Sequence, residues 1–70
     1  MERLFWNNNG GAYCILEGNI GEPALLADMN NKSKFIVASR LNATDWNSGM
    51  YHCSLGEAYK QFRSLYKKRL

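Results

Sequence analysis

The feature that most constrains this chain is a helix start signal at Ser54, followed by an apolar stripe that runs almost to the C-terminus. The Ser54 hydroxyl can accept a hydrogen bond from the first turn, and Glu57 can reach back to the Ser54 N–H. Apolar residues then recur at spacings of three and four, the period of one helix face. The stripe consists of Leu55, Ala58, Tyr59, Phe62, Leu65 and Tyr66. We therefore predict an amphipathic helix that needs an apolar surface to pack against.

The residues before this helix carry the signals of a small antiparallel sheet. Asn9 and Gly10 form an Asn-Gly step, a hairpin signal because both residue types tolerate positive φ. Further breaks lie at 18–23 and 30–33, and a polar loop lies at 42–49. The breaks leave predicted strands at 3–6, 12–17, 24–29, 34–41 and 50–53. We predict a single α+β domain over residues 1–70, with a meander of three to five strands and one C-terminal helix on one sheet face.

Charge and cysteine content narrow the class of protein. Nine basic and six acidic residues give a net charge of +3, which is compatible with nucleic acid or an acidic protein surface. No apolar run approaches the roughly 20 residues needed to span a bilayer, and the N-terminus lacks the pattern of a secretory signal. We expect an intracellular, cytoplasmic protein. Its two thiols, Cys14 and Cys53, are then expected to be reduced, unpaired and at least partly buried.

The chain offers little for catalysis or metal binding. His52 and Cys53 are neighbours on a predicted strand, so their side chains point to opposite faces. Cys14 can meet His52 only if the sheet pairs their strands, and a buried structural cysteine is the more common case. A structural zinc site needs about four Cys or His ligands at short spacings, which the chain lacks. We expect no enzyme activity, no metal and no cofactor.

The C-terminal helix carries a run of positive charge beside its apolar stripe. Lys60, Arg63 and Lys67 are spaced three and four apart and share one flank, and Lys68 follows them. Such a ridge can contact phosphates or an acidic protein groove. The alternative is a solvated helix face that only keeps the protein in solution.

Two tryptophans lie in or beside polar turns. Trp6 adjoins the Asn-rich turn, and Trp46 lies in the loop at 42–49. Tryptophans at such places anchor protein interfaces or stack on bases. They also act as lids over small cores, and for Trp46 we favour the lid because so short a chain builds little core.

The C-terminal half resembles small proteins of Firmicutes phages and mobile elements. The resemblance covers roughly residues 35–62 and lies in the strand Phe35-Ile36-Val37-Ala38, Leu41, the segment Trp46-x-x-Gly49-x-Tyr51, and a closing helix with Ala58 and Phe62. It implies a structural pattern without catalytic residues. Small phage proteins of this size include host-directed inhibitors, among them anti-CRISPR proteins that bind a host nuclease. This chain departs from the acidic, DNA-mimicking kind because it is basic.

These observations favour a non-enzymatic protein-binding module, in the form of a phage-encoded inhibitor of a host defence complex. The alternative is a small basic nucleic-acid-binding module that uses the helix ridge. The candidate partner-binding residues are Lys60, Arg63, Lys67, Lys68, Trp46 and Trp6.

The apolar pattern of the predicted strand at 34–41 also bears on self-association. It places Phe35, Val37 and Leu41 on one face, and Ile36 and Ala38 on the other. A single helix covers only one of these faces, so we expect the other to meet a second copy and form a homodimer.

Overall fold

The computed structural model of the protein describes the backbone of residues 3–69 and the side chains of residues 3–65. Seven strands precede one helix along the chain. The strands are β1 (Arg3–Trp6), β2 (Ala12–Gly18), β3 (Ala24–Asp28), β4 (Phe35–Ala38), β5 (Arg40–Leu41), β6 (Trp46–Asn47) and β7 (Met50–His52). The helix is α1 (Leu55–Arg69).

The main sheet has five strands in the order β1-β2-β3-β4-β7, and every neighbouring pair is antiparallel. The predicted meander with one C-terminal helix is confirmed, and the fold class is α+β. The two short strands β5 and β6 pair with each other as a second small sheet, inserted between β4 and β7 along the chain, and Leu41 of β5 also forms a parallel bridge with Ile20.

The β1–β2 turn is held by the side chain of Asn7. Its Oδ1 accepts hydrogen bonds from the N–H groups of Asn9, at 3.0 Å, and Gly11, at 2.9 Å. Gly10 adopts a φ of +87°, whereas Asn9 is not among the described residues with positive φ. The hairpin is thus where the Asn-Gly step predicts it, although only the glycine uses the left-handed region.

The prediction of one strand over 34–41 is wrong, because the chain leaves the main sheet at Ser39. The Ser39 N–H and hydroxyl both donate to the carbonyl of Asn47, at 3.1 and 2.9 Å. The next residues form β5, which pairs with β6 inside the segment predicted as a loop. A serine hydroxyl that bonds the backbone offers the chain an alternative to the ladder, and apolar alternation carries no sign of this switch.

Because the chain leaves the main sheet at Ser39, the β5–β6 hairpin covers the second face of that sheet. On one face, here called the helix face, Leu25 and Val37 are buried against Ala58 and Phe62 of α1. On the other, here called the hairpin face, a second cluster is closed by the β5–β6 hairpin. That cluster consists of Phe5, Tyr13, Ala24, Leu26, Ile36 and Leu41, with Ile15 and Trp46 packed against it.

Two expectations about the faces are therefore wrong. Leu41 lies in the cluster with Ile36, and not on the face of Phe35 and Val37. The face opposite the helix is covered by residues of this chain, so it is not left for a second copy. Both errors have the same cause. Side chains alternate between the two faces only while the strand continues, and β4 ends at Ala38.

Helix α1 begins at the predicted cap. The Glu57 N–H donates to the Ser54 Oγ at 3.2 Å, and the Ala58 N–H donates to the Ser54 carbonyl at 3.1 Å. The reciprocal bond from the Ser54 N–H to the Glu57 carboxylate is not formed among the described residues. The buried stripe is narrower than predicted, because Leu55 and Tyr59 are 46% and 39% exposed. The side chain of Tyr66 lies outside the described residues.

Replacing Ser54 with Ala is expected to lower the free energy of unfolding by about 1 kcal/mol, because a free N–H group of the first turn loses its acceptor. Ser64→Ala is the matched control, since Ser64 is exposed inside the same helix, where alanine is the better helix former. Thermal and urea unfolding of both variants measure the difference. Equal stability of the two variants would contradict a capping role for Ser54.

Candidate partner-binding surface

Helix α1 covers only part of the helix face. It packs mainly on β4, with further contacts to β3 and β7. The strands β1 and β2, at the other side of the sheet, lie beyond this cover. Large side chains that β1 directs to the helix face are therefore exposed to solvent or to a partner.

The strand register identifies those side chains. Cross-strand neighbours share a face of the sheet. One such row runs across all five strands, from β7 to the outer strand β1, and includes Phe35, which packs with the helix cluster. The row consists of His52, Phe35, Ala27, Cys14 and Leu4. Leu4 therefore points to the helix face, at the end of the row that the helix does not reach.

Leu4 and Trp6 form the core of an exposed apolar patch. They are two residues apart on β1 and so point to the same face. The side chains are 56% and 63% exposed. Their partners on β2, Cys14 and Ala12, are small and half-buried. The two large side chains therefore project beyond their neighbours on the sheet surface. These four residues are called the β1 patch below.

Trp6 and Trp46 differ in their surroundings. Trp46 packs on the hairpin face, with ring centroids 6.1 Å from Phe5 and 5.0 Å from Tyr13 in an edge-to-face arrangement. A Cβ at Gly49 would overlap the Trp46 ring, which explains the glycine three residues after the tryptophan. The interpretation of Trp46 as a lid is confirmed, and a partner-binding role for it stays a prediction. Trp6 lies in the β1 patch instead.

Burial raises the pKa of the Tyr13 hydroxyl above its ordinary value of 10.0, and the negative charges of Asp28 and of ionised Tyr51 add to the effect. The hydroxyl therefore stays protonated near neutral pH. This is the behaviour of a core tyrosine under the Trp46 lid, and Tyr13 is no candidate for a general base near neutral pH.

The helix cations lie on the same side of the sheet as the β1 patch. Lys60 and Arg63 are exposed, and the Arg63 guanidinium lies 5.9 Å from the centroid of the Tyr59 ring. Lys67 and Lys68 belong to the backbone of α1, but their side chains lie outside the described residues. After Glu57 the chain contains five basic residues and no acidic residue. The part of the helix after Glu57 therefore produces a positive electrostatic potential.

The cysteines and the histidine are dispersed. Cys14 and His52 share a row on the helix face, but β3 and β4 lie between their strands, a separation of about 14 Å at ordinary strand spacing. For the same reason β2 and β7 are not neighbours, so the sheet does not bring Cys14 and Cys53 together. Both thiols are free. Cys53 is exposed, because β7 ends at His52, and the expectation that it is partly buried is wrong.

Two further observations concern the described part of the chain. Within it, no three His, Cys, Asp or Glu side chains lie close enough together to hold a metal ion. Its single helix is neither long enough nor apolar enough to cross a membrane. The His52 Nε2 is buried without a hydrogen-bond partner among the described residues, under the helix and away from the β1 patch.

Comparison of the chain with models of protein families, with curated proteins and with solved structures gives no match. Any inference about function therefore rests on the surface itself, and the resemblance to phage proteins stays a prediction.

Proposed function

We propose that this chain is a non-enzymatic protein-binding module that takes its partner on the β1 patch. The observation that carries the proposal is the exposure of Leu4 and Trp6 side by side on one strand. Single apolar side chains on a surface are ordinary, but adjacent large ones mark interaction sites. Tryptophan is also the residue type most enriched among the side chains that dominate binding energy.

The charge of α1 supports an acidic partner. Protein interfaces commonly have an apolar centre and a charged rim, and complementary charge on the rim speeds association and selects the partner. Lys60 and Arg63 lie on the same side of the sheet as the patch and have no acidic neighbour later in the helix. A partner with apolar side chains flanked by carboxylates fits both features.

The phage-protein resemblance favours a component of a host defence complex as this partner. Inhibitors of that kind act by occupying a surface, which requires no catalytic residue. Occupation of a surface needs neither the Cys14 thiol in the floor of the patch nor a metal ion, and it is compatible with the exposed apolar side chains of Leu4 and Trp6.

The second candidate function is nucleic-acid binding, favoured by the five basic residues of the helix. It predicts affinity that falls steeply with salt, because phosphate contacts release counterions. Neutralising Lys60 or Arg63 is then expected to lower the salt slope by about one unit each. Tight, salt-sensitive binding to bare DNA or RNA would favour this candidate over the protein-binding module.

Affinity capture from bacterial lysate, with mass spectrometry, tests the proposed function. We expect Trp6→Ser to lower partner recovery by about tenfold or more, since loss of a central aromatic anchor typically costs about 2 kcal/mol or more. Tyr51→Ser is the matched control, because Tyr51 is 59% exposed but lies on the hairpin face, where it is the cross-strand neighbour of Ile36. Equal recovery with the two variants would contradict binding at the β1 patch.

A further inference from the structure

Strand β1 is an outer strand of the main sheet, and its free edge has a defined pattern of backbone groups. The Asn7 N–H donates to the Gly11 carbonyl at 3.0 Å, so that pair is hydrogen-bonded across β1 and β2. Antiparallel pairs alternate between bonded and non-bonded, and the register from Arg3 to Trp6 has no irregularity. The N–H and C=O groups of Leu4 and Trp6 therefore point away from β2.

These outward groups are open over a short window. Among the described residues, no backbone group bonds to the free edge at Leu4 or Trp6. The edge closes directly afterwards, because the Asn8 N–H donates to the Thr44 carbonyl at 2.8 Å. The chain thus blocks the edge at Asn8 and leaves residues 4–6 available to another strand, in the region where the β1 patch is also exposed.

We propose that a second copy of this chain fills the window, with the two β1 strands pairing antiparallel about a two-fold axis at Phe5. Leu4 of each copy then lies opposite Trp6 of the other. Each of these two pairs exchanges two backbone hydrogen bonds, which satisfies the outward groups of both residues. The result is a continuous ten-stranded sheet.

Several features of the edge suit a second copy. The pairing sets a leucine beside a tryptophan on the helix face twice, and cross-strand apolar pairs of this kind stabilise sheets. Arg3 falls opposite Asn7, so no like charges meet. The Arg3 guanidinium is moreover held by the Asn19 Oδ1 and the Gly18 carbonyl of its own chain, both at 2.8 Å. If the two-fold axis lay at Trp6 instead, Leu4 of one copy would pair with Asn8 of the other. The Asn8 N–H is already bonded to the Thr44 carbonyl and could not join that pair.

The dimer also extends the proposed function. A two-fold axis perpendicular to the sheet keeps both helix faces on one side, so the two β1 patches merge between the two α1 helices. The four strands β2-β1-β1-β2 form the floor of a trough about 15 Å wide at ordinary strand spacing. It is lined by Leu4 and Trp6 of both copies, and basic helices border it. This consequence rests on the proposed function, whereas the strand pairing does not.

Backbone N-methylation of Leu4 isolates the strand pairing from the side chains. Cys14 allows ligation of a synthetic segment 1–13 to an expressed segment 14–70, so the full chain is obtained with one changed atom group. The Leu4 N–H has no partner among the described residues, so the methylated monomer should fold and melt normally. N-methylation of Phe5 is the matched control, because that N–H bonds β2 and its loss should destabilise the monomer itself.

Sedimentation velocity over micromolar to millimolar concentrations reads out the dimer. We expect wild-type protein to dimerise, with slowed hydrogen exchange at the Leu4 and Trp6 amides as concentration rises. N-methyl-Leu4 should weaken the dimer by about tenfold or more, since two bonds are lost per dimer. A strict monomer at all concentrations, or unchanged dimerisation of N-methyl-Leu4, would overturn the strand pairing. If N-methyl-Leu4 leaves dimerisation unchanged while Trp6→Ser abolishes partner capture, the proposed function stands and this inference fails.

Discussion

Gly18→Ala is expected to unfold most of the protein at room temperature. Gly18 has a φ of +92°, where an L side chain is strained. A Cβ at this position would also overlap the Pro23 carbonyl oxygen and lie 2.8 Å from the Ala24 Cα. Both obstacles are backbone, so neither can turn aside as a side chain would. Because Gly18 pairs with Ala24 at the start of β3, relief of the overlap must separate β2 from β3.

Gly10→Ala is the matched control for this prediction. Gly10 has nearly the same φ, +87°, but no atom lies within 4 Å of the position its Cβ would take. Its substitution should therefore cost only the backbone strain, about 1 kcal/mol. Circular dichroism and urea unfolding of the two variants separate strain from overlap. Equal losses would contradict a close approach between Gly18 and residues 23–24.

The parts of the fold that the sequence predicts are those governed by local chemistry. The cap at Ser54, the Asn7 turn and the break at 18–23 depend on residues next to one another, and each lies where the local signal predicts it. The departure of the chain at Ser39 is different. It depends on a hydrogen bond to Asn47, eight residues away, and the short pairing of β5 with β6 has no periodicity to detect.

The candidate site was only partly predictable for a related reason. Trp6 could be named from the sequence because it adjoins a polar turn, but Leu4 was missed. Its exposure follows from the sheet order, which places β1 at an edge, and from the position of α1 over β3, β4 and β7. The available sequence signal was the alternation of Leu4 and Trp6 around the buried Phe5. This alternation identifies the exposed side chains only once it is known which element packs on each face of the sheet.

Leu41→Ala is expected to show that the β5–β6 hairpin is a structural layer. Leu41 is fully buried on the hairpin face, so its truncation leaves a cavity between that hairpin and Ile36. Buried leucines lose about 2–5 kcal/mol in such substitutions. A domain of this length has roughly 4–10 kcal/mol of stability in total, so the variant should be partly unfolded or close to it.

Leu16→Ala provides the comparison for Leu41→Ala, since Leu16 is 38% exposed and leaves little cavity behind. Urea unfolding followed by tryptophan fluorescence in a Trp6→Phe background reports on the hairpin directly, because the remaining ring, Trp46, packs on Tyr13 and Phe5. If the two alanine variants were equally stable, the hairpin would be a loosely attached segment. The hairpin face would then be free for a partner and would compete with the β1 patch as a binding surface. A large loss for Leu41→Ala alone shows that the hairpin buries the apolar centre of the hairpin face, which leaves Leu4 and Trp6 as the adjacent exposed pair of large apolar side chains on one strand.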